Sequence, residues 1–172
     1  GRGGNGHVTG AYLADGARHI DTTTLIDHAV PDCRSREVFK GVLDGKGRGV
    51  FQGKIIVRRD AQRTDGYQLN RALMLSRTAE IDSKPELEIY ADDVKCSHGA
   101  TVGELDRRAL FYLESRGVTP DEAKALLTRA FVADALDRIG AEEVRDAFYA
   151  DAERWFATAP LPLAGGAGGG NG

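Results

Sequence analysis

The densest run of chemically capable side chains is Asp92-Asp93-Val94-Lys95-Cys96-Ser97-His98-Gly99. Cys96 and His98 lie two positions apart, and in an extended strand residues i and i+2 point to the same face. A thiolate beside an imidazole suits iron or zinc. Two donors do not complete a metal site, so further ligands would come from elsewhere in the fold or from a partner chain. On spacing alone, ordinary polar packing is the leading role for the pair. Metal or cluster ligation and cysteine–histidine nucleophilic catalysis stay open beside it. The catalytic version lacks a recognisable orienting acid and oxyanion hole. A looser group, His19, Asp27, His28, Asp32 and Cys33, flanks a turn at Pro31 and reads as turn and surface residues. Arg58, Arg59 and Arg63 read as a small solvated basic patch. Gly1-Arg2-Gly3-Gly4-Asn5-Gly6 is not a phosphate loop, because it lacks the preceding strand, the following helix and the Lys-Ser/Thr ending.

The elements that must position these residues change period along the chain. From residue 7 to about 103, short stretches alternate apolar and polar or are rich in β-branched residues: 7–15, 19–29, 37–44, 49–58, 67–76 and 87–96. Asp15-Gly16, Pro31-Asp32, Asp44-Gly45, Asp65-Gly66 and Lys84-Pro85 break them. Val50 to Val57 reads as the clearest strand pair, with a bend or bulge at Gly53. The segment from Lys84 to Tyr90 resembles an edge strand with Pro85 tolerated at its start. No helix of crossover length separates the strands, which argues against a βαβ sheet and leaves a sandwich or a parallel β-helix.

After residue 105 the period is helical. Leu105, Ala109, Leu110, Tyr112 and Leu113 share a face, and Gly117 sits where a left-handed C-terminal cap belongs. Thr119-Pro120-Asp121-Glu122 reads as a capping box with proline in the first turn. The helix it opens carries Ala123, Leu126, Leu127, Ala130 and Phe131 on one stripe and ends by Gly140. A third helix places Val144, Ala147, Phe148, Ala152, Trp155 and Phe156 at three-four spacing, and Pro160 and Pro162 stop it. The organisation expected is a flexible Gly-rich end over 1–6, a β domain over 7–104, a helical domain over 105–158 and a flexible tail over 159–172.

Composition narrows the classes. The 172 residues carry a net charge of −3, with 41% hydrophobic and 28% charged residues, which describes a globular chain able to bury a core. A strongly basic nucleic-acid binder is not expected. No apolar run approaches the ~20 residues that span a bilayer as a helix, so no membrane partner is expected. Cys33 and Cys96 are the two cysteines, too few for a disulfide framework, and a reducing cytoplasm is the expected compartment. Residues 1–103 carry a net +1 and residues 104–172 a net −4, so the helical end is acidic. Both ends carry the quartet Gly-Gly-Asn-Gly. The absence of an initiator Met and the strand-like pattern by His7 lead to the expectation that the chain starts part-way through a larger protein.

The stretch 79–103, running through Lys84-Pro85-Glu86-Leu87-Glu88-Ile89-Tyr90 and Lys95-Cys96-Ser97-His98-Gly99-Ala100-Thr101-Val102-Gly103, resembles the signature of the SufBD family of iron–sulfur cluster assembly subunits. So do Leu110-Phe111-Tyr112-Leu113-Glu114-Ser115-Arg116-Gly117-Val118, Val50-Phe51-Gln52-Gly53-Lys54-Ile55 and Thr64-Asp65-Gly66-Tyr67-Gln68-Leu69-Asn70. The resemblance covers roughly residues 19 to 135. Around His98 the chain has the SufD form, where SufB-like chains carry a Glu-His-Glu-Ala type of stretch.

The resemblance implies a mainly β fold with α: a right-handed parallel β-helix, in its C-terminal coils, followed by a small C-terminal helical domain. It implies a non-catalytic scaffold that pairs with SufB through the β-helix and binds the SufC ATPase through the helical domain. Iron or a nascent Fe–S cluster would be shared with SufB, and none is expected to be bound by the isolated chain. Carried onto this sequence, His98 becomes the expected metal ligand and Cys96 its neighbour. Arg116 and Phe131 become candidate SufC contacts. The alternatives are a SufB-like or stand-alone cluster carrier, which needs three or four Cys or His ligands in one chain, and a carbohydrate-active β-helix enzyme. The latter needs clustered carboxylates and aromatic platforms, and only 7% of the chain is aromatic.

Overall fold

The computed structural model describes residues 1–159; the stops read at Pro160 and Pro162, and the glycine tail, lie outside the described residues. The chain divides into two compact units, Gly1–Glu104 and a second that begins at Leu105.

The first unit has seven strands: β1 Asn5–Ala14, β2 His19–His28, β3 Arg34–Leu43, β4 Arg48–Val57, β5 Thr64–Met74, β6 Glu80–Ile89 and β7 Val94–Gly103. They alternate between two sheets, β1-β3-β5-β7 and β2-β4-β6. Every pairing is parallel. This is a parallel β-solenoid of about 3 turns, which decides between the two all-β designs. Asn5 pairs with Arg34, Arg34 with Asp65 and Thr64 with Val94, so successive coils take 29, 31 and 30 residues along one sheet.

Parallel strands of a solenoid stack like residues in ladders, and one side of each strand faces the interior. Along β4 the interior side is Gly49, Phe51, Gly53, Ile55 and Val57, all buried. Ile55 and Val57 form a core cluster with Ala61 and Ala91, and Tyr12, Ala14, Leu43 and Ala79 form another. The interior is not purely apolar: Ser35, Glu37, Gln68 and Asn70 are each at most 2% exposed.

Several strand readings are corrected. Residues 50–57 are part of one strand, not a pair, and Gly53 stays in register with Thr24 and Pro85. A Cβ at Gly53 would overlap the Gln68 amide, so this glycine provides clearance rather than a bend. Pro85 lies in the middle of β6, not at its start. β6 is the outer strand of its sheet and needs ladder bonds on one side only, which is where a residue without an N–H is tolerated. The stretch 87–96 is the end of β6, a turn and the start of β7. β1 begins at Asn5, inside the stretch read as a flexible end.

Among the described residues the second unit has three helices, α1 Arg107–Ser115, α2 Pro120–Leu136 and α3 Glu142–Thr158. The Thr119–Glu122 capping box opens α2 with both reciprocal hydrogen bonds in place, and Gly117 takes a left-handed φ of 88° after α1. The apolar stripes shift, however. On α2 the buried residues are Ala123, Ala125, Thr128, Val132, Ala135 and Leu136, while Leu126 is 51% exposed and Ala130 is exposed. Alanines occupy much of the packed face, and the larger Leu126 looks outward because α2 is apolar on more than one side. On α3 only Ala152, Trp155 and Phe156 are buried, and Val144, Ala147 and Phe148 are exposed.

Candidate functional site

β7 carries both donors of the Cys96–His98 pair. Cys96 pairs with Gly66 and His98 with Gln68 on β5. Those pair in turn with Ser35 and Glu37 on β3. Gly66 and Gln68 are buried and their β5 neighbours Asp65, Tyr67 and Leu69 are not, so Cys96 and His98 share the interior-facing side of the sheet. β7 is the outermost strand among the described residues, and that side is open there. Cys96 is half-buried and His98 is exposed.

The thiol of Cys96 leans on the apolar cluster of Ile55, Val57, Ala61 and Ala91. Burial pushes its pKa above the ordinary thiol value, a backbone hydrogen bond at Gly66 works against that, and Asp65 adds to the rise. Binding a metal there displaces a proton that the folded chain holds firmly. His98 has no hydrogen-bond partner among the described residues. Among the described residues, no group of three or more His, Cys, Asp or Glu side chains comes together to hold a metal ion. The pair offers one soft and one borderline donor at an open sheet edge.

In the looser group His19 and Asp27 are exposed and Asp32 sits partly exposed at its turn, as read, but His28 and Cys33 are buried. His28 is 6% exposed, and its Nε2 lies 2.9 Å from Ser35 Oγ. Burial holds its pKa below the ordinary histidine value, against the pull of Asp27. Cys33 is buried, its Sγ 3.5 Å from the Gly1 carbonyl oxygen. Both line a cavity of about 480 Å³ with Gly6, Val8, Ile26 and Ser35, and neither Cys96 nor His98 does. Asp27 forms an ion pair with Arg58 at 2.6 Å. Asp32, in the left-handed region at φ 65°, pairs with Arg63 and Arg2, which hold its carboxyl at about 2. So Arg58 and Arg63 of the solvated basic patch are exposed, as read, and are also paired across coils.

Residue-by-residue reading missed Glu37 and Gln68. Gln68 Nε2 donates to Glu37 Oε2 at 2.6 Å, and both side chains are fully buried. Their signal was an alternation in which polar residues occupy interior positions opposite a glycine, legible only once the coil register is known.

In the helical unit, Arg116 caps the C-terminus of α1 with its guanidinium 4.9 Å above the Tyr112 ring. Tyr112 is 56% and Phe111 72% exposed, so Tyr112 leaves the packed face expected for it. Phe131 is half-buried on α2.

The SufBD core domain of the SUF system for FeS cluster assembly matches residues 1–131. The chain is similar to the iron–sulfur cluster assembly protein SufD of Escherichia coli, at 45% identity over 73% of this chain and 30% of that protein. It is similar to a SufBD family iron–sulfur cluster assembly protein of Mycobacterium leprae, at 35% identity over 89% of this chain and 41% of that one. It is also 38% identical to a chloroplastic protein of Arabidopsis thaliana over 74% of this chain and 26% of the relative. The chain thus spans well under half the length of each of these relatives. With a parallel solenoid, a matching core domain and the Cys96–His98 strand in place, the chain belongs to the SufBD family of the SUF iron–sulfur cluster assembly system.

Proposed function

We propose that the chain is a cytoplasmic scaffold subunit of the SufD kind, which pairs with SufB through its solenoid and binds the SufC ATPase through its helices without turnover of its own. Iron and the nascent cluster are cargo, held where this chain meets SufB. The observation that carries the reading is the placement of Cys96 and His98 on one face of β7, the outermost strand among the described residues, with two donors at an open edge. The neutral imidazole of His98 offers a ring nitrogen to iron, and Cys96 offers a thiolate once its proton leaves. Because burial raises the Cys96 pKa, ligation through it strengthens as pH rises and protonation favours release. ATP-dependent association of SufC shifts the interface between two arrangements by binding one of them better.

The test replaces the native subunit in cells with the full-length protein carrying His98→Ala, and scores SufB and SufC co-purification in the same extracts. The expected result is an intact complex with collapsed cluster-dependent activity. A complex that falls apart makes His98 a structural residue, and unchanged assembly and activity overturn the site assignment.

A further inference from the structure

Glu37, Gln68 and His98 stand in one register across β3, β5 and β7, all on the interior-facing side. Neighbouring strands in a sheet lie about 4.8 Å apart, so in-register side chains of this length can touch. Gln68 is fully buried, and its two amide atoms are treated differently. Nε2 donates to Glu37 Oε2, while Oε1 has no hydrogen-bond partner. A buried carbonyl oxygen left without a donor is costly, and such atoms are rare in folded proteins. The two atoms diverge from one carbon. With Nε2 turned toward β3, Oε1 turns away from it, and β7 lies on that other side of β5. β4 leaves room for the amide: a Cβ at Gly53 would overlap Gln68 Nε2 and Cδ.

We propose that Gln68, held by Glu37, is the positioning residue for His98. In the structure the amide oxygen and the exposed imidazole are not yet bonded to each other; a turn of the His98 ring brings one N–H to that oxygen, which fixes the tautomer and leaves the other ring nitrogen free at the β7 edge. Metal-binding histidines commonly donate their second ring N–H to an oxygen in this way. An amide suits the task because it orients the ring without a full negative charge beside it, and so does not hold the imidazole as the cation that cannot bind iron. The Glu37 carboxylate acts one strand further back, and by accepting from Nε2 it polarises the amide and strengthens Oε1 as an acceptor. The meaning of this arrangement for cluster assembly rests on the proposed role of His98, whereas the hydrogen bond itself is tested separately.

The experiment follows the imidazole nitrogens of the full-length chain by NMR with isotope-labelled histidine at a pH of about 8, where histidine is ordinarily neutral. His98→Gln identifies the His98 signals by their loss. In the unsubstituted chain one His98 tautomer dominates, and Gln68→Met relaxes the tautomer ratio by about three- to tenfold, the range one neutral hydrogen bond supplies. His28, bonded to Ser35 in the same solenoid, reports in the same spectrum that the fold is kept. Gly53→Ala pushes the same amide away by a different route and gives the same relaxation. An unchanged His98 tautomer ratio in Gln68→Met with His28 undisturbed overturns the proposal. Where Gln68→Met also disturbs His28, an unchanged ratio in Gly53→Ala overturns it. A full-length protein with His98→Ala that still supports assembly defeats the ligand reading alone and leaves the tautomer result as it stands.

Discussion

The Tyr12 hydroxyl donates a 3.0 Å hydrogen bond to Asn70 Oδ1, joining β1 to β5 past the intervening strand β3. Its ring crosses Gly41, its register partner on β3, where a Cβ would overlap the ring. Asn70 Nδ2 continues the line to Ser83 Oγ on β6 at 2.9 Å. A polar brace thus runs through the solenoid interior from the first coil to the opposite sheet.

Gly41→Ala tests the clearance this brace needs. The added methyl must displace a buried ring, and overpacking of that kind costs about 1–3 kcal/mol. Gly103→Ala on β7, where nothing lies within 4 Å of the new Cβ, is the control and leaves stability unchanged. Urea unfolding followed by circular dichroism measures both, and equal midpoints for the two variants would show that the ring moves aside freely.

Tyr12→Phe tests the bond itself and gives it a pH signature. The change leaves Asn70 Oδ1 buried without its donor, at a cost of about 1–3 kcal/mol at neutral pH. Burial pushes the Tyr12 phenol up to about 12 from 10.0, an effect its bond to Asn70 partly offsets. A folded-state pKa above the unfolded one stabilises fully below the unfolded value and is lost as pH rises toward the folded value. The advantage of the unsubstituted chain over Tyr12→Phe therefore holds from neutral pH to about 10 and shrinks between about 10 and 12. A gap in unfolding midpoint that stays constant across that window contradicts the assignment.

Thr119→Ala addresses the helical unit. Removing an N-cap side chain costs about 0.5–2 kcal/mol. Here it also takes from the Glu122 carboxylate one of its two donors, the Thr119 hydroxyl, and leaves the backbone N–H. Those bonds lower the Glu122 pKa below its ordinary 4.5. A depressed carboxylate pKa contributes stability above the unfolded value and loses it as pH falls through the folded one. The difference between the unsubstituted chain and Thr119→Ala is expected to be largest at neutral pH and to narrow under acid below 4.5, as read from helical signal on melting. A difference that widens with acid would place the cap energy elsewhere.

The contrast between the units explains what could be read from the sequence. Local signals control the helices: Thr119, Pro120 and Glu122 declare a helix start with no knowledge of the rest of the fold. They do not say which side of α2 packs, because Leu126 and Ala125 are both apolar and only the tertiary partners choose. The solenoid is governed by pairings some 30 residues apart, and its ladders repeat positions rather than residue types. Val8, Glu37, Gln68 and His98 share one ladder in which no residue type recurs. Parallel stacking was therefore legible only through the resemblance, and the partners of His98 only through the register. His28 and Cys33 were misplaced on the surface for the same reason, since a turn residue of one coil is buried by its neighbours.

The helices supply the last prediction, which concerns SufC. Two aromatic side chains, Phe111 and Tyr112, stand outward side by side on α1, and Arg116 lies over Tyr112. Exposed aromatic and arginine groups are the side chains that most often anchor protein interfaces, and an arginine already stacked on a ring loses less freedom on docking. Phe111→Ser and Arg116→Ala are expected to weaken SufC capture by the full-length protein about tenfold or more, the effect of a single anchor residue. Neither should move the melting midpoint, since both sites are exposed. Phe131 is half-buried, so Phe131→Ala is expected to lower the midpoint as well as capture. Full capture by both Phe111→Ser and Arg116→Ala would remove α1 from the SufC surface, and loss of capture by Phe131→Ala alone, at an unchanged midpoint, would move the contact to α2.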